Sequence, residues 1–392
     1  MNSGTLGSSA PPPLFPGFEQ QDRIFSSAFS ILDAAVADRA FPGASIAVTN
    51  RGRLVALKAF GRFTYDSDSP LVTPATLFDL ASVSKVVATT TMAMILYERG
   101  LLDLDAPVTG IVPEFADGRE GGKLDPRRRA VPLRMLLAHA SGLAAYDKLF
   151  LQAQGRDQLL HLAFVARLVA DPGARAEYSD IGFIILGEAL ERLAGESLDR
   201  FCQREIFGPL GMAHTAYNPP PDSRAQIPPT QDDRKFRKRI VQGEVQDENA
   251  SALGGVAGHA GIFSTAEDLA RFAHAMLGGG QPILRPETVA LFTQRETAPA
   301  GTSRALGWDT PSAPSQSGKY FSPASYGHLG YTGTSLWIDP ARQLSVILLT
   351  NRTWPDCANQ FSKEAIKRVR PNFHDAVVEA LDAAGGKDIL EK

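Results

Sequence analysis

The pattern of apolar and polar positions predicts a helix and a β-hairpin in the first part of the chain. Apolar residues recur at helical spacing over residues 21–39, which predicts an amphipathic helix. Pro42-Gly43 then interrupts the pattern. Two strands are predicted over residues 44–49 and 53–63, on either side of the turn Asn50-Arg51-Gly52.

The middle of the chain, residues 73–250, has a mostly helical pattern with long loops. The first predicted helix follows the segment Phe78-Asp79-Leu80-Ala81 and runs through an almost wholly apolar stretch to Gly100. Further helices are predicted over residues 131–140, 159–170, 178–193, 198–207 and 266–280. Residues 219–233 are rich in proline and are predicted to form a loop.

Strand patterns return near the end of the chain, followed by a final helix over residues 359–384. The predicted strands cover residues 305–309, 325–330, 334–339 and 344–350. We therefore predict an α/β fold of the α+β type, with one antiparallel sheet that is built from both chain ends and flanked by helices. The expected parts of this single domain are a disordered tail (1–16), a sheet region (17–75 and 255–392) and an inserted, mainly helical region (76–254).

Composition narrows the possible partners and the compartment. The chain has 392 residues, of which 44% are hydrophobic and 21% charged, as in an ordinary globular protein. Its net charge of -3 gives no reason to expect nucleic acid or an anionic membrane as partner. The sequence starts with neither the charged segment nor the apolar segment of a secretory signal, and it has no apolar run of membrane-spanning length. Its cysteines, Cys202 and Cys357, do not form a disulfide pattern. We therefore expect a cytoplasmic protein that does not insert into membranes; a trimmed or misassigned N-terminus would instead fit a periplasmic or extracellular protein.

Ser82 and Lys85 form the only Ser-x-x-Lys in the chain. Residues three apart on a helix share a face, so the lysine amine can reach the serine hydroxyl. A hydroxyl becomes a good nucleophile when a neighbouring base takes its proton, and a lysine can be that base when burial lowers its pKa. The alternative is an N-cap serine beside a surface lysine.

Two other segments have residues suited to the same chemistry. Glu177-Tyr178-Ser179-Asp180 includes a tyrosine that can donate or accept a proton beside the serine. The glycine-rich stretch from Tyr326 to Ser335 is predicted to form a strand edge along which a substrate backbone can lie. Such an edge can also donate a backbone N–H to an oxyanion.

Together these motifs resemble the serine β-lactamase and penicillin-binding-protein family, which has Ser-x-x-Lys as its first signature. The resemblance is closest to the class C β-lactamase-like group, which includes DD-peptidases and esterases. Its second motif stands here as Tyr178-Ser179-Asp180 and its third as His328-Leu329-Gly330. Segments 136–143 and 258–265 resemble this group as well, so the resemblance extends from about residue 41 to residue 351.

The resemblance implies a β-lactamase/transpeptidase-like fold and a serine hydrolase that works through an acyl-enzyme. Esterase, DD-peptidase-like or weak β-lactamase activity is expected on a small ester, amide or peptide. Ser82 would be the acylated nucleophile, and Lys85 and Tyr178 would share the proton transfers. The N–H groups of Ser82 and Tyr331 would form the oxyanion hole.

The chain departs from the family pattern around the substrate. Asp180 replaces an amide that could donate a hydrogen bond, and a carboxylate beside Lys85 would favour the charged lysine. His328, next to Leu329 and Gly330, takes the place of a substrate-facing lysine, and Leu329 lacks the usual hydroxyl. We therefore expect a preference for esters over β-lactams, and anionic substrates should bind better as pH falls through the His328 pKa.

The remaining histidines show no metal-ligand spacing, so we predict structural or surface roles for them and expect no metal or other cofactor. His259 is the one whose loop could line the cleft. The sequence also has no Gly-x-Ser-x-Gly, which argues against a nucleophile-elbow hydrolase. The alternative function is a catalytically inactive binding or scaffold protein that kept the fold.

Overall fold

The computed structural model describes residues 13–385, and its strands form one large sheet and several small ones. The strands, in chain order, are β1 (Phe15–Pro16), β2 (Gly43–Asn50), β3 (Arg53–Gly61), β4 (Phe78–Asp79), β5 (Arg119–Glu120), β6 (Lys123–Leu124), β7 (Ala216–Tyr217), β8 (Gln231–Asp233), β9 (Arg239–Val241), β10 (Ile262–Ser264), β11 (Tyr326–Leu329), β12 (Ser335–Asp339) and β13 (Leu344–Thr350).

The helices fill the middle of the chain and flank the large sheet. In chain order they are α1 (Gln21–Ile24), α2 (Ser26–Ala37), α3 (Thr91–Glu98), α4 (Leu133–Leu137), α5 (Arg156–Phe164), α6 (Asp180–Ala194), α7 (Leu198–Cys202), α8 (Glu248–Ala252), α9 (Ala266–Leu277), α10 (Pro286–Thr293) and α11 (Gln360–Ala383). A 3-10 turn, Ala81–Val83, and a π-helical segment, Lys85–Thr90, lead into α3.

The large sheet has the order β1-β3-β2-β13-β12-β11, and only β1 and β3 are parallel neighbours. At its centre β2 pairs with β13, with Ala47 opposite Ile347. The N-terminal hairpin is thus joined edge to edge to the C-terminal strands. This arrangement confirms the predicted antiparallel sheet built from both chain ends.

Both faces of the sheet are covered, which explains why its central strands, β2 and β13, are buried along almost their whole length. Ile46 and Val48 of β2 lie in a hydrophobic cluster with α2 and α11. Ala47, which points to the opposite face, lies in a larger cluster that includes α3, α6 and α9. That larger cluster is continuous from the sheet into the helical region. The predicted boundaries at residues 76 and 255 therefore stay a prediction.

In the C-terminal half, one predicted strand is wrong and one helix was missed. Residues 305–309 form a sharp turn instead of a strand, held by isolated bridges from Asp309 to Arg304 and to Gly327. The turn is sharp because Gly307 has a left-handed backbone (φ 85) and lies so close to Thr90 that a Cβ would meet its hydroxyl. The helix α10 was not predicted, although Pro286 in its first turn is a typical start signal.

The predicted disordered tail lies mostly outside the described residues, which begin at residue 13. Its last two residues differ from the prediction, because Phe15 and Pro16 pair with Arg53 and Leu54. A short strand can add to the free edge of a sheet through backbone hydrogen bonds alone. Within residues 13–385, no helix combines the length and apolar character needed to cross a bilayer.

Candidate active site

The loop that carries Ser82 begins at β4 and is fixed by the side chain of Asp79. Ala81, next to Ser82, has a left-handed backbone (φ 47), which is costly for a residue with a Cβ. The Asp79 carboxylate accepts hydrogen bonds from the Ala81 N–H at 2.8 Å and from the Gln246 N–H at 2.6 Å. Burial raises the pKa of Asp79 to about 6, although these two N–H donors act in the opposite direction.

Ser82 Oγ lies between the two side chains that the sequence assigns to its proton transfers. Lys85 Nζ is 3.1 Å from Ser82 Oγ, and Tyr178 OH is 2.7 Å from it. The lysine comes from the next turn of the same helical segment, whereas the tyrosine immediately precedes α6, far along the chain. The three predicted catalytic side chains therefore meet around one hydroxyl.

The Lys85 ammonium group is completely buried and has two further partners. Its Nζ is 2.6 Å from Asp180 Oδ1 and 2.9 Å from the carbonyl oxygen of His259. Burial lowers the pKa of Lys85, and Asp180 opposes that shift. The predicted contact with Asp180 is thus present, but desolvation outweighs the preference for the charged lysine that the sequence led us to expect.

The start of α6 holds Tyr178 and Asp180 in place. Ser179 is the N-cap residue: its hydroxyl accepts from the Gly182 N–H at 3.0 Å and donates to the Ala144 carbonyl at 2.6 Å. Tyr178 OH is also 3.0 Å from Asp180 Oδ1, so one carboxylate oxygen contacts both Lys85 and Tyr178. Burial raises the pKa of Tyr178 well above its usual value, which keeps the phenol protonated.

His139 supports Tyr178 from behind, a role that the sequence analysis did not assign. Its ring centroid lies 4.7 Å from that of Tyr178 and 5.0 Å from that of Phe183. His139 Nδ1 accepts a hydrogen bond from the Ser179 N–H at 3.0 Å. Burial holds the pKa of His139 well below its usual value, so the ring is a neutral packing surface. The family-like segment 136–143 was the available signal.

The third motif lies at the end of β11 and borders the same cavity as Ser82. Gly330 approaches the Ser82 loop closely: a Cβ there would lie 2.6 Å from the Leu80 carbonyl oxygen. Tyr331 is 44% exposed, and its hydroxyl donates to the Cys357 carbonyl at 3.0 Å. Within residues 13–385, the backbone N–H groups of Ser82 and Tyr331 have no hydrogen-bond acceptor.

His328 differs from the expected pH-dependent anion site. Its ring is only 2% exposed, and Nδ1 lies 2.8 Å from the Leu329 carbonyl oxygen. Burial, together with the positive charges of Lys85 and Arg304, holds the pKa of His328 well below its usual value. The ring is therefore neutral near pH 7, and its protonation lies at a lower pH than the sequence analysis assumed.

Two further groups support the site. The sequence analysis expected that the His259 loop could line the cleft, and His259 does line the cavity, whereas Arg370 was not named. His259 Nε2 lies 2.7 Å from Asp247 Oδ1, which fixes the loop whose carbonyl contacts Lys85. The prediction of a structural role fits His259 in part, since its ring is buried while its backbone faces the lysine. Arg370 projects from α11, and its buried guanidinium donates to the carbonyls of Gly330 and Thr334 at 2.7 and 2.9 Å.

These groups surround a cavity of about 1190 Å³. Ser82, Tyr178, Asp180, His328 and Arg304 all line it. Lys148, Lys235 and Asp356 contribute charged groups to the remaining lining. A cavity of this size accommodates a peptide-sized or drug-sized molecule.

The chain is similar to known proteins along most of its length. A family model described as Beta-lactamase matches residues 29–367. The chain is 34% identical over 353 residues to the "N-acetylmuramyl-L-alanine amidase" of Bacillus subtilis (strain 168), with 80% of this chain and 77% of that protein covered.

Solved structures with the same fold share less sequence. "EstCE1, a hydrolase with promiscuous acyltransferase activity" superposes with a TM-score of 0.73 at 22% identity, covering 91% of this chain and 99% of that one. A class C beta lactamase from Rhodobacter sphaeroides superposes with a TM-score of 0.69 at 22% identity, covering 92% of this chain and 99% of that one. These likenesses confirm the predicted fold class.

Proposed function

The chain belongs to the Beta-lactamase family, and from that premise we propose that it is a serine hydrolase whose acylated nucleophile is Ser82. The observation that carries the proposal is the position of Ser82 Oγ, within hydrogen-bond distance of both Lys85 Nζ and Tyr178 OH. The hydroxyl also borders the large cavity, where a substrate carbonyl can reach it.

In the acylation step, Ser82 Oγ attacks the substrate carbonyl carbon while its proton passes to Lys85 Nζ. Lys85 is suited to accept it because burial lowers its pKa. The ammonium that forms is stabilised by Asp180 Oδ1 and by the His259 carbonyl. The N–H groups of Ser82 and Tyr331 are the proposed donors to the oxyanion.

In the second half of acylation, Tyr178 donates a proton to the departing alcohol or amine as the bond to the carbonyl carbon breaks. Its raised pKa keeps that proton available at neutral pH. Asp180 Oδ1 contacts both Lys85 Nζ and Tyr178 OH, which gives the proton a route from the lysine back to the phenol. Water then attacks the acyl-enzyme, releasing the acid and restoring the proton on Ser82 Oγ.

The proposed substrates are small esters and amides, including peptides. The Bacillus subtilis relative is named an amidase and the superposed EstCE1 a hydrolase with acyltransferase activity, so both bond types belong in the proposal. β-Lactams are proposed to be poorer substrates, because His328 is neutral and Leu329 has no hydroxyl. A screen of short-chain nitrophenyl esters, acyl peptides and nitrocefin ranks these classes directly.

Intact-protein mass spectrometry with a fluorophosphonate tests the nucleophile. We expect one adduct, located on the Ser82 peptide and absent from Ser82→Ala. Ser84→Ala is the matched control that should keep the adduct, because the Ser84 hydroxyl accepts from the Ile262 N–H instead of contacting Lys85. An adduct on Ser84 or Ser141 would contradict the assignment. Absence of any adduct would favour the alternative of an inactive binding protein.

A further inference from the structure

We propose that Arg304 is the anion-binding residue of the cavity and selects substrates whose leaving group carries a carboxylate. This inference rests on the proposed function, since it concerns the same site. The family-like third motif has no cation here, because His328 is buried and its pKa is held well below the usual value. Arg304 supplies a positive charge to the same cavity from a different segment.

The position of Arg304 points to the leaving-group side. Its Cζ lies 5.6 Å from the centre of the Tyr178 ring, over the residue that we propose protonates the leaving group. A carboxylate one or two bonds from the departing oxygen or nitrogen would therefore lie near the guanidinium. α-Hydroxy acids and α-amino acids are leaving groups of this kind. A β-lactam also carries a carboxylate beside its departing nitrogen, so the proposed preference for esters over β-lactams rests on the third motif alone, where His328 is neutral and Leu329 has no hydroxyl.

The Arg304 guanidinium has N–H donors available for a substrate. Its Nη1 is paired with Asp309 Oδ1, which is its only acceptor among residues 13–385. An arginine has five N–H donors, so the others can form a paired contact with a substrate carboxylate. The Arg304 side chain remains 22% exposed, and both Arg304 and Asp309 line the cavity.

The backbone around Arg304 holds the side chain in place before substrate arrives. The Arg304 N–H donates to Thr302 Oγ1 at 3.0 Å, and its carbonyl accepts from the Glu296 N–H at 2.8 Å. The bridge from Asp309 to Gly327 ties the turn to β11, which carries His328. A cation fixed in this way loses little conformational entropy on binding.

Four other carboxylates of the cavity lining have a basic partner of their own. Asp180 lies against Lys85, Asp247 against His259, Asp232 against Arg234 and Asp233 against Arg237. Glu248 and Asp356 also line the cavity. Asp309 is the carboxylate that competes directly with a substrate anion for Arg304. Removing its charge should therefore strengthen anion selection, in the opposite direction to removal of Arg304 itself.

The test uses two ester substrates with the same acyl group, one releasing lactate and the other lactamide. The measured quantity is the ratio of kcat/KM for the lactate ester to that for the lactamide ester. We expect the wild type to favour the lactate ester, and Arg304→Gln to lower the ratio by about tenfold to a hundredfold, the usual range for a hydrogen bond to a charged group. Arg304→Lys should recover part of it, and Asp309→Asn should raise it.

Arg239→Gln is the matched control, because Arg239 is paired with Glu244 and does not line the cavity, so the ratio should not change. A ratio that stays the same in Arg304→Gln, or a wild type that favours the lactamide ester, would overturn the inference. If Arg304→Gln does not fold, the Arg304→Lys and Asp309→Asn variants provide the test. Equal kcat/KM ratios in these two variants and in the wild type would exclude anion binding by Arg304. Failure of the proposed serine-hydrolase function would be seen in a different experiment, as the absence of fluorophosphonate labelling at Ser82.

Discussion

Lys85 Nζ lies 2.6 Å from Asp180 Oδ1, and the lysine side chain of this ion pair is completely buried. Two opposing effects act on that lysine: burial favours the neutral amine, and the carboxylate favours the ammonium. Burial is the larger effect, so Lys85 can serve as a base while Asp180 stabilises the ammonium that forms afterwards.

Removing the charge of Asp180 should move the acidic limb of the pH–rate profile. Asp180 raises the Lys85 pKa, so Asp180→Asn lowers it and increases the neutral fraction at any given pH. We expect the rise of kcat/KM for a neutral ester to shift to lower pH by about one to three units. Asp232→Asn is the control, because it removes a carboxylate that is paired with Arg234. The acidic limb of its pH–rate profile should stay at the wild-type pH. A shift to higher pH in Asp180→Asn would contradict the assignment of Lys85 as base.

Loss of either proton-transfer group should be severe, and the losses should not add. Lys85→Ala and Tyr178→Phe are each expected to lower kcat by about 100-fold or more, the usual effect of removing a general acid or base. The double variant should be little slower than the worse single variant, because both groups act on the same proton. Single-turnover kinetics with an alkyl ester, whose alkoxide leaving group must be protonated, measures all three. Wild-type turnover in Tyr178→Phe would remove the tyrosine from the mechanism.

The left-handed backbone at Ala81 predicts a large effect on stability for one substitution and a small effect for another. Ala81→Val should destabilise the protein by about 1–3 kcal/mol and lower kcat, because a β-branched residue is strained at φ 47 beside the nucleophile. Ala81→Gly is the matched control, since glycine adopts this conformation freely, and its effect on stability should stay below about 1 kcal/mol. Urea unfolding and ester turnover measure the two quantities. Equal stability of the two variants would contradict the role of this conformation.

The neutral state of His328 predicts that selection of anions does not depend on its protonation near pH 7. The His328 pKa is depressed, so the ring gains its proton only well below its usual range. Between about pH 6 and 8, the kcat/KM ratio of the lactate ester to the lactamide ester should therefore be flat. A ratio that rises as pH falls through this range, and becomes flat in His328→Gln, would restore the histidine as the anion site.

The sequence determined the parts of the molecule that depend on local pattern. Apolar runs predicted β2 and β13, because strands covered on both faces are apolar in near-continuous runs. Helical spacing predicted α2 to within a few residues, because a helix covered on one face is apolar at its own period. Spacing on a helix also brought Lys85 to Ser82, since residues three apart share a face whatever the rest of the fold does. The resemblance to the family then added Tyr178.

Tertiary structure decided which groups are buried and which distant segments meet. The turn at 305–309 is neither a strand nor a surface loop, because Gly307 packs against Thr90 from another part of the chain. That packing places Arg304 over Tyr178, a contact that no local pattern indicates. The protonation states of Lys85 and His328 likewise depend on desolvation by the assembled core. Desolvation arises only when the chain is folded, so the sequence named these residues and the structure set their charge.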